Sequence, residues 1–193
     1  MRADALGARV IVTEIDPVKA MEARMDGYDV MTMEKAAPLG DIFVSATGCC
    51  KTIGMEHMNK MKNGAILANA GHFNVEIDMK ALEEQCVEKW ESRANIMAYR
   101  LQAGNVVHVI GEGRLVNIAA ADGHPAEIMD LSFAVQAMSA LYIRDHHEKL
   151  DDRVIDVSDE IDDVIARRKL AAWGIEIDEL TPEQSEYLAS WDV

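Results

Sequence analysis

Glu14 ends a β-branched run, Val10-Ile-Val-Thr13, and is followed at once by Asp16-Pro17. At the carboxyl end of a strand in an open α/β sheet, a carboxylate can accept from both hydroxyls of a ribose. A glutamate there can equally cap the next helix. Three more polar stretches follow predicted extended segments: Ser45-Ala-Thr-Gly48, Asn69-Ala-Gly-His72 and Glu112-Gly-Arg-Leu-Val-Asn117. Thr47-Gly48 offers a hydroxyl and close backbone approach, or forms a plain turn. His72 is placed to shuttle protons near neutral pH, or packs on the surface. Asn117 donates and accepts at once, which suits a carboxamide such as that of nicotinamide. His124, in Asp122-Gly-His-Pro125, precedes a long helix at its positive end, where burial and the dipole would favour the neutral ring; a capping histidine is the alternative. His57, His108, His146 and His147 read as structural or exposed, and no spacing suggests a metal site.

These residues become a site only if strands bring their ends together, and the pattern between them is of that kind. Val10–Thr13 suits a strand buried on both faces of a parallel sheet. Pro17 opens a helix through Arg24, with Val18, Met21, Ala23 and Met25 as its core stripe before Gly27. Tyr28–Met31 is a short strand, Glu34–Ala37 a helical turn, and Asp41–Ser45 the next buried strand. Met55–Lys62 carries Met55, Met58 and Met61 at helical spacing; Ala65–Ala68 is a further strand, and Met79–Gln85 is helical. Alternation of strand and helix predicts a doubly wound parallel sheet of Rossmann type, whose strand ends share one crevice. From Val87 to Ile110 the pieces are extended and read as outer strands. Pro125–His147 is one long helix, and the chain from Asp151 is helical and charged, with Ser158 and Thr181-Pro-Glu-Gln184 as starts. The division expected is 1–124 for a nucleotide-binding domain and 125–193 for a helical segment. Met1–Leu6 reads as the end of a helix, and no glycine-rich phosphate loop precedes Glu14, so the sequence reads as beginning inside its own domain, without its first strand.

The 193 residues are 49% hydrophobic, enough for one good core, and carry a net charge of −15. That charge repels phosphate backbones and no basic patch offsets it, so nucleic acid is not an expected partner. No run of about 18 apolar residues is present to span a bilayer, and a soluble, cytoplasmic protein is expected. Cys49, Cys50 and Cys86 lack zinc or thioredoxin spacing and read as reduced, mostly structural thiols.

Gly7-Ala-Arg-Val-Ile-Val-Thr-Glu-Ile-Asp-Pro17, Gly71-His-Phe-Asn-Val-Glu-Ile-Asp78, Glu112–Asn117, Gly123-His-Pro125 and Leu180–Gln184 with Tyr187-Leu188 together resemble the C-terminal half of the S-adenosyl-L-homocysteine hydrolase (adenosylhomocysteinase) family, over essentially the whole chain. The resemblance implies a tightly bound NAD that oxidises the nucleoside 3′-hydroxyl and acidifies the 4′ proton. Homocysteine is then eliminated, water adds, and the ketone is reduced back. It implies that Glu14 holds the adenosine ribose of NAD, that Ala70, Gly71 and His72 line cofactor and substrate, and that Asn117 meets the nicotinamide amide. Thr47 and Lys19 fall at cofactor-side positions. His72 and His124 are the implied catalytic residues, His72 in a proton relay at the 5′ position and His124 against the nucleoside. A homotetramer, or the absent N-terminal half, is the implied partner, and S-inosyl-L-homocysteine is an alternative substrate.

Departures from the family pattern are Lys19, where many members have Asn or Cys, Ala46 in place of a hydroxyl residue, and Asn74 in place of Asp. The substrate domain, first strand and phosphate loop are not in this sequence, so the chain alone is expected to be inactive. The ending Ser190-Trp-Asp-Val193 lacks the lysine and tyrosine tail that reaches a neighbouring subunit in some members.

Overall fold

The computed structural model describes residues 1–190; the ending Trp191-Asp-Val193 lies outside them. The chain divides into two compact units, Met1–Gly123 and His124–Val193.

The core of the first unit is built on β4 (Ala65–Asn69), which pairs in parallel with β3 (Ile42–Ser45) on one side and with β7 (Val106–Ile110) on the other. Two antiparallel strands, β6 (Ile96–Arg100) and β5 (Glu88–Arg93), extend the far edge, giving the order β3-β4-β7-β6-β5. The extended pieces after Val87 are therefore the outer part of the sheet, except that β7 sits beside β4. Side chains alternate across the pleat, and Leu67, Val107, Val109, Leu82 and Met58 are sealed from solvent. The methionines behave as gap-fillers: Met58 and Met61 are buried, with Met55 packed against them.

Helices α4 (Met55–Met58) and α5 (Met79–Gln85) are short. The first ends four residues before the expected Lys62, because Met61 leaves the helical path on the way into β4. Asp78 caps α5 by accepting from Ala81 N at 3.2 Å, and Lys51 lies 3.0 Å from it. The Lys51 ammonium and the Ala81 N–H hold the Asp78 carboxyl below its ordinary value.

The amino-terminal part is a separate two-stranded parallel sheet. After α1 (Arg2–Ala5), β1 (Ile11–Val12) pairs with β2 (Asp29–Val30) across α2 (Pro17–Met25), and α3 (Met33–Ala36) follows. This corrects the expectation of a strand buried on both faces. Ile11 and Val12 are half-buried and Thr13 is exposed, because β1 has a partner along one edge only. The expected core stripe of α2 is also uncovered, with Val18, Met21 and Met25 exposed, Met25 at 83%. On β3, Ile42 at 65% and Val44 at 63% face solvent while Phe43 and Ser45 are buried. Sheet edges and apolar side chains left open in this way mark surfaces shaped to be covered.

The second unit is helical: α7 (Ala126–His146), α8 (Asp159–Ala172) and α9 (Pro182–Ala189), after a short α6 (Val116–Ala119) that closes the first unit. Ser158 caps α8, and Thr181 with Gln184 forms a reciprocal capping box on α9. Ile161 and Ile165 of α8 are buried, and Lys169 bridges to Asp130 of α7 at 2.6 Å. No residue of α7 is buried, although its apolar positions recur every three or four residues. Among the described residues no helix is long and apolar enough to cross a membrane.

Candidate functional site

Three of the four polar stretches meet at the carboxyl ends of β3, β4 and β7, and two buried side chains tie them together: Asn69, which opens one of the expected stretches, and Glu76, which the sequence did not single out. Asn69 ends β4 fully buried. Its Nδ2 donates to Phe73 O and to Gly113 O, each at 2.8 Å, and its Oδ1 accepts from Gly71 N at 2.7 Å. One amide thus fixes the loop after β4 against the loop after β7. Leu115 bridges to Asn69 in parallel register and is the N-cap of α6, which places Asn117 as the second residue of that helix. The backbone ahead of it is sharply kinked: Gly111, Glu112 and Gly113 all have positive φ, Glu112 at 57° without being glycine.

The second tie is Glu76, a carboxylate only 1% exposed. Its Oε2 accepts from Thr47 N at 2.9 Å and from Thr47 Oγ1 at 3.0 Å, while its Oε1 accepts from Gly48 N at 2.8 Å. Burial pushes the carboxyl upward. The Thr47 and Gly48 N–H groups and the Thr47 and Ser45 hydroxyls together outweigh it, leaving the group below its ordinary value and ionised. Gly71 is required beside it, since a Cβ at that position would lie 1.6 Å from Glu76 Oε1. Ala70 N donates to Ser45 O at 2.7 Å, joining the same two loops through main chain.

This network decides what each expected residue offers. Ala70 and His72 are exposed beside the buried Gly71, and the His72 ring stands edge-on to Phe73 at 4.5 Å. The Thr47 hydroxyl has one proton and two lone pairs; it donates to Glu76 and accepts from Cys49 N at 3.1 Å, with Thr52 Oγ1 at 2.9 Å. All its capacity is used within the loop, and the Thr47 and Gly48 N–H groups are taken by Glu76, so these residues can offer a ligand only carbonyl oxygens and close approach. Asn117 is half-buried with no hydrogen bond to its side chain among the described residues, and so is free to pair with an amide. Cys49 and Cys50 are exposed on the turn after Gly48, and Cys86 is half-buried, which corrects the expectation of structural thiols for the first two.

Glu14 belongs to the smaller sheet. Its Oε1 accepts from Ile15 N at 2.7 Å and Asp16 N at 3.1 Å, and its Oε2 has no partner among the described residues. The Asp16 and Ile15 N–H groups, helped by Lys19, keep the exposed carboxyl below its ordinary value. Asp16, not Glu14, caps α2, accepting from Val18 N at 2.8 Å and Lys19 N at 3.3 Å. An anchored carboxylate with one oxygen facing outward fits a sugar hydroxyl. The start of α2 does not fit a diphosphate, because Pro17 and Asp16 already occupy its donors.

In the second unit His124 is exposed and does not cap α7, whose N-cap is Pro125 without a side-chain bond. The burial expected of it is absent. Of the remaining histidines, His57 Nδ1 accepts from Gly54 N, His108 pairs with Ser92, and His146 and His147 bond the last carbonyls of α7. Among the described residues no cluster of three or more His, Cys, Asp or Glu could hold a metal ion.

Interlocked turns at the ends of parallel strands, beside an unpaired carboxamide, give the α/β architecture in which ligands bind at strand ends. The chain belongs to the family described as S-adenosyl-L-homocysteine hydrolase, NAD binding domain, whose model matches residues 2–123. It is 58% identical over 192 residues to an adenosylhomocysteinase of Aquifex aeolicus, covering 100% of this chain and 46% of the relative. An adenosylhomocysteinase of Pyrococcus abyssi is 57% identical, with 99% and 45% covered. An S-inosyl-L-homocysteine hydrolase of Methanocaldococcus jannaschii is 56% identical, with 99% and 46% covered. The chain therefore spans about half the length of these relatives.

Proposed function

We propose that this chain is the NAD-holding part of an enzyme that reversibly hydrolyses S-adenosyl-L-homocysteine to adenosine and L-homocysteine. The observation that carries the reading is the locked set of strand-end turns, in which Asn69 and Glu76 spend their polar atoms inward and leave Ala70, His72 and Asn117 to face a ligand. Bound NAD supplies a reversible hydride acceptor for the nucleoside 3′-carbon. Glu14 receives the cofactor's ribose on Oε2, with Lys19 beside it. Ala70 and Gly71 give a flat main-chain wall, and Asn117 pairs with the carboxamide. His72, exposed and without a side-chain hydrogen bond among the described residues, moves the proton at the 5′ side, and His124 serves the nucleoside. Within residues 1–123 the reading is a doubly wound sheet in which one further parallel strand lies between β1 and β3, each of which has an open edge. That strand, with the diphosphate-binding turn that the start of α2 cannot provide, comes from elsewhere in the assembly, for which a homotetramer is the family's form.

Release of thiol from S-adenosyl-L-homocysteine, measured with the chain mixed with the N-terminal half of the Aquifex aeolicus relative, tests the reading. Thiol release that disappears on His72→Ala supports it. No release with any supplement leaves a non-catalytic NAD-binding module instead. S-inosyl-L-homocysteine is the rival substrate because one relative bears that name at 56% identity; running both thioethers in the same assay separates them.

A further inference from the structure

Glu76 is a buried carboxylate to which the proposed reaction gives no task. Ordinary packing does not account for it: an acid 1% exposed is costly unless its oxygens are fully satisfied. Here three of its donors come from one two-residue turn, Thr47-Gly48, across 28 or 29 residues of sequence, beside the Ser45 hydroxyl. Gly48 itself has a φ of 69°, so the turn is held in a conformation that favours glycine. On its other side the carboxylate leaves no room for a side chain at residue 71.

We propose that Glu76 is a positioning residue, which clamps the Thr47-Gly48 turn against the Gly71 wall so that the main chain of both turns is set for the cofactor before it arrives. The proposal rests on the NAD-binding reading above and deepens it. In it, the Thr47 hydroxyl acts as a strut of the clamp and touches no ligand. Preorganisation of this kind removes an ordering cost that binding would otherwise have to meet. The clamp is selective in geometry, since its Oε2 takes the two Thr47 donors while its Oε1 takes Gly48 and blocks residue 71. Glu76→Gln keeps the size of the side chain but can present only one acceptor oxygen, so at least one N–H of the turn loses its partner.

The experiment compares the full chain with Glu76→Gln by amide hydrogen exchange and by titration with millimolar NAD followed by NMR. Loss of a hydrogen bond to a charged group of about 1.5–3 kcal/mol corresponds to exchange about 10- to 100-fold faster at Thr47 or Gly48. Protection at Leu67 and Ala68 in β4 stays as it was, and the NAD dissociation constant rises about 10-fold or more. Unchanged protection at both turn amides overturns the clamp. Equal NAD affinity in the two proteins, or loosening spread through β4, overturns the positioning role in favour of a structural one. If neither protein binds NAD, the binding reading fails and the positioning role falls with it, whereas the exchange contrast still decides whether the clamp exists.

Discussion

Gly71→Ala should be among the most damaging single-methyl additions in the chain. Gly71 has no positive φ, so backbone strain is not the issue; the added Cβ would lie 1.6 Å from Glu76 Oε1, 2.6 Å from its Cδ and 3.0 Å from Asn69 Oδ1. The carboxylate must swing away and release Thr47 N, Thr47 Oγ1 and Gly48 N. Each bond to a charged acceptor is worth about 1.5–3 kcal/mol, and the three act as one unit rather than additively. The expected loss is about 3–5 kcal/mol, a large part of the roughly 5–15 kcal/mol that holds a domain of this size together. Urea unfolding of the first unit, followed by circular dichroism, measures it. In a Glu76→Ala background the same alanine should cost about 1 kcal/mol or less, since only the Asn69 contact remains. A loss under about 1 kcal/mol with Glu76 in place, or equal losses in the two backgrounds, would refute the clamp geometry.

Acid should open the same turn. Because the folded-state pKa of Glu76 is depressed, its contribution is complete above the unfolded value of about 4.3 and fades as pH falls through the lower folded value; exchange at Thr47 and Gly48 should rise there, and Glu76→Gln should remove the dependence. NAD should bind the isolated chain weakly, because the start of α2 has no free donors for a diphosphate; tryptophan fluorescence titration showing sub-micromolar affinity would contradict this. Leu67→Ala, at a fully buried position of β4, should cost about 2–5 kcal/mol in urea unfolding. Val44→Thr, at an exposed position of β3, should change the chain's own stability by no more than about 0.5 kcal/mol yet weaken activity recovered with the relative's N-terminal half, read as thiol release.

What the sequence disclosed was local or periodic. The strand over Ala65–Ala68, which the structure extends by Asn69, the helix Met79–Gln85 and the capping box at Thr181 could be read because short-range rules set them. Burial was harder to read. The stripe on α2 is apolar in sequence, but apolarity records only that something covers those residues, and in this chain nothing described does. The site was legible as types at strand ends, and illegible as a network. Glu76 sits in Val75-Glu-Ile77, where a charged residue between two β-branched ones reads as the solvent side of an extended piece. Only the approach of the Thr47-Gly48 turn, 28 residues away, turns that side inward. Asn69 carried a fainter signal: a polar residue directly after Ala65-Ile-Leu-Ala68, at the point where a buried strand must pair or end.

The open edges of β1 and β3 separate two halves of the candidate site that differ in preparation. Asn69, Glu76 and the Gly111–Gly113 kink belong to the loops of a sheet of five strands, and the buried polar atoms of Asn69 and Glu76 have partners from neighbouring loops. Glu14 belongs to a sheet of two, where β1 contributes only Ile11 and Val12 and the carboxylate is oriented by its own next two N–H groups. A site assembled from sequence-local bonds can form without its neighbours; one assembled from long-range bonds needs the sheet beneath it. Supplying a parallel strand between β1 and β3 pairs their unpaired edges, and should change protection strongly around Ile11–Val12 and Ile42–Val44 and little around Asn69–Gly71, a contrast that hydrogen exchange in the mixture with the relative's N-terminal half reads directly. Equal changes at both places would mean that the five-stranded part is not set in advance, and that the order of its turns is a consequence of assembly.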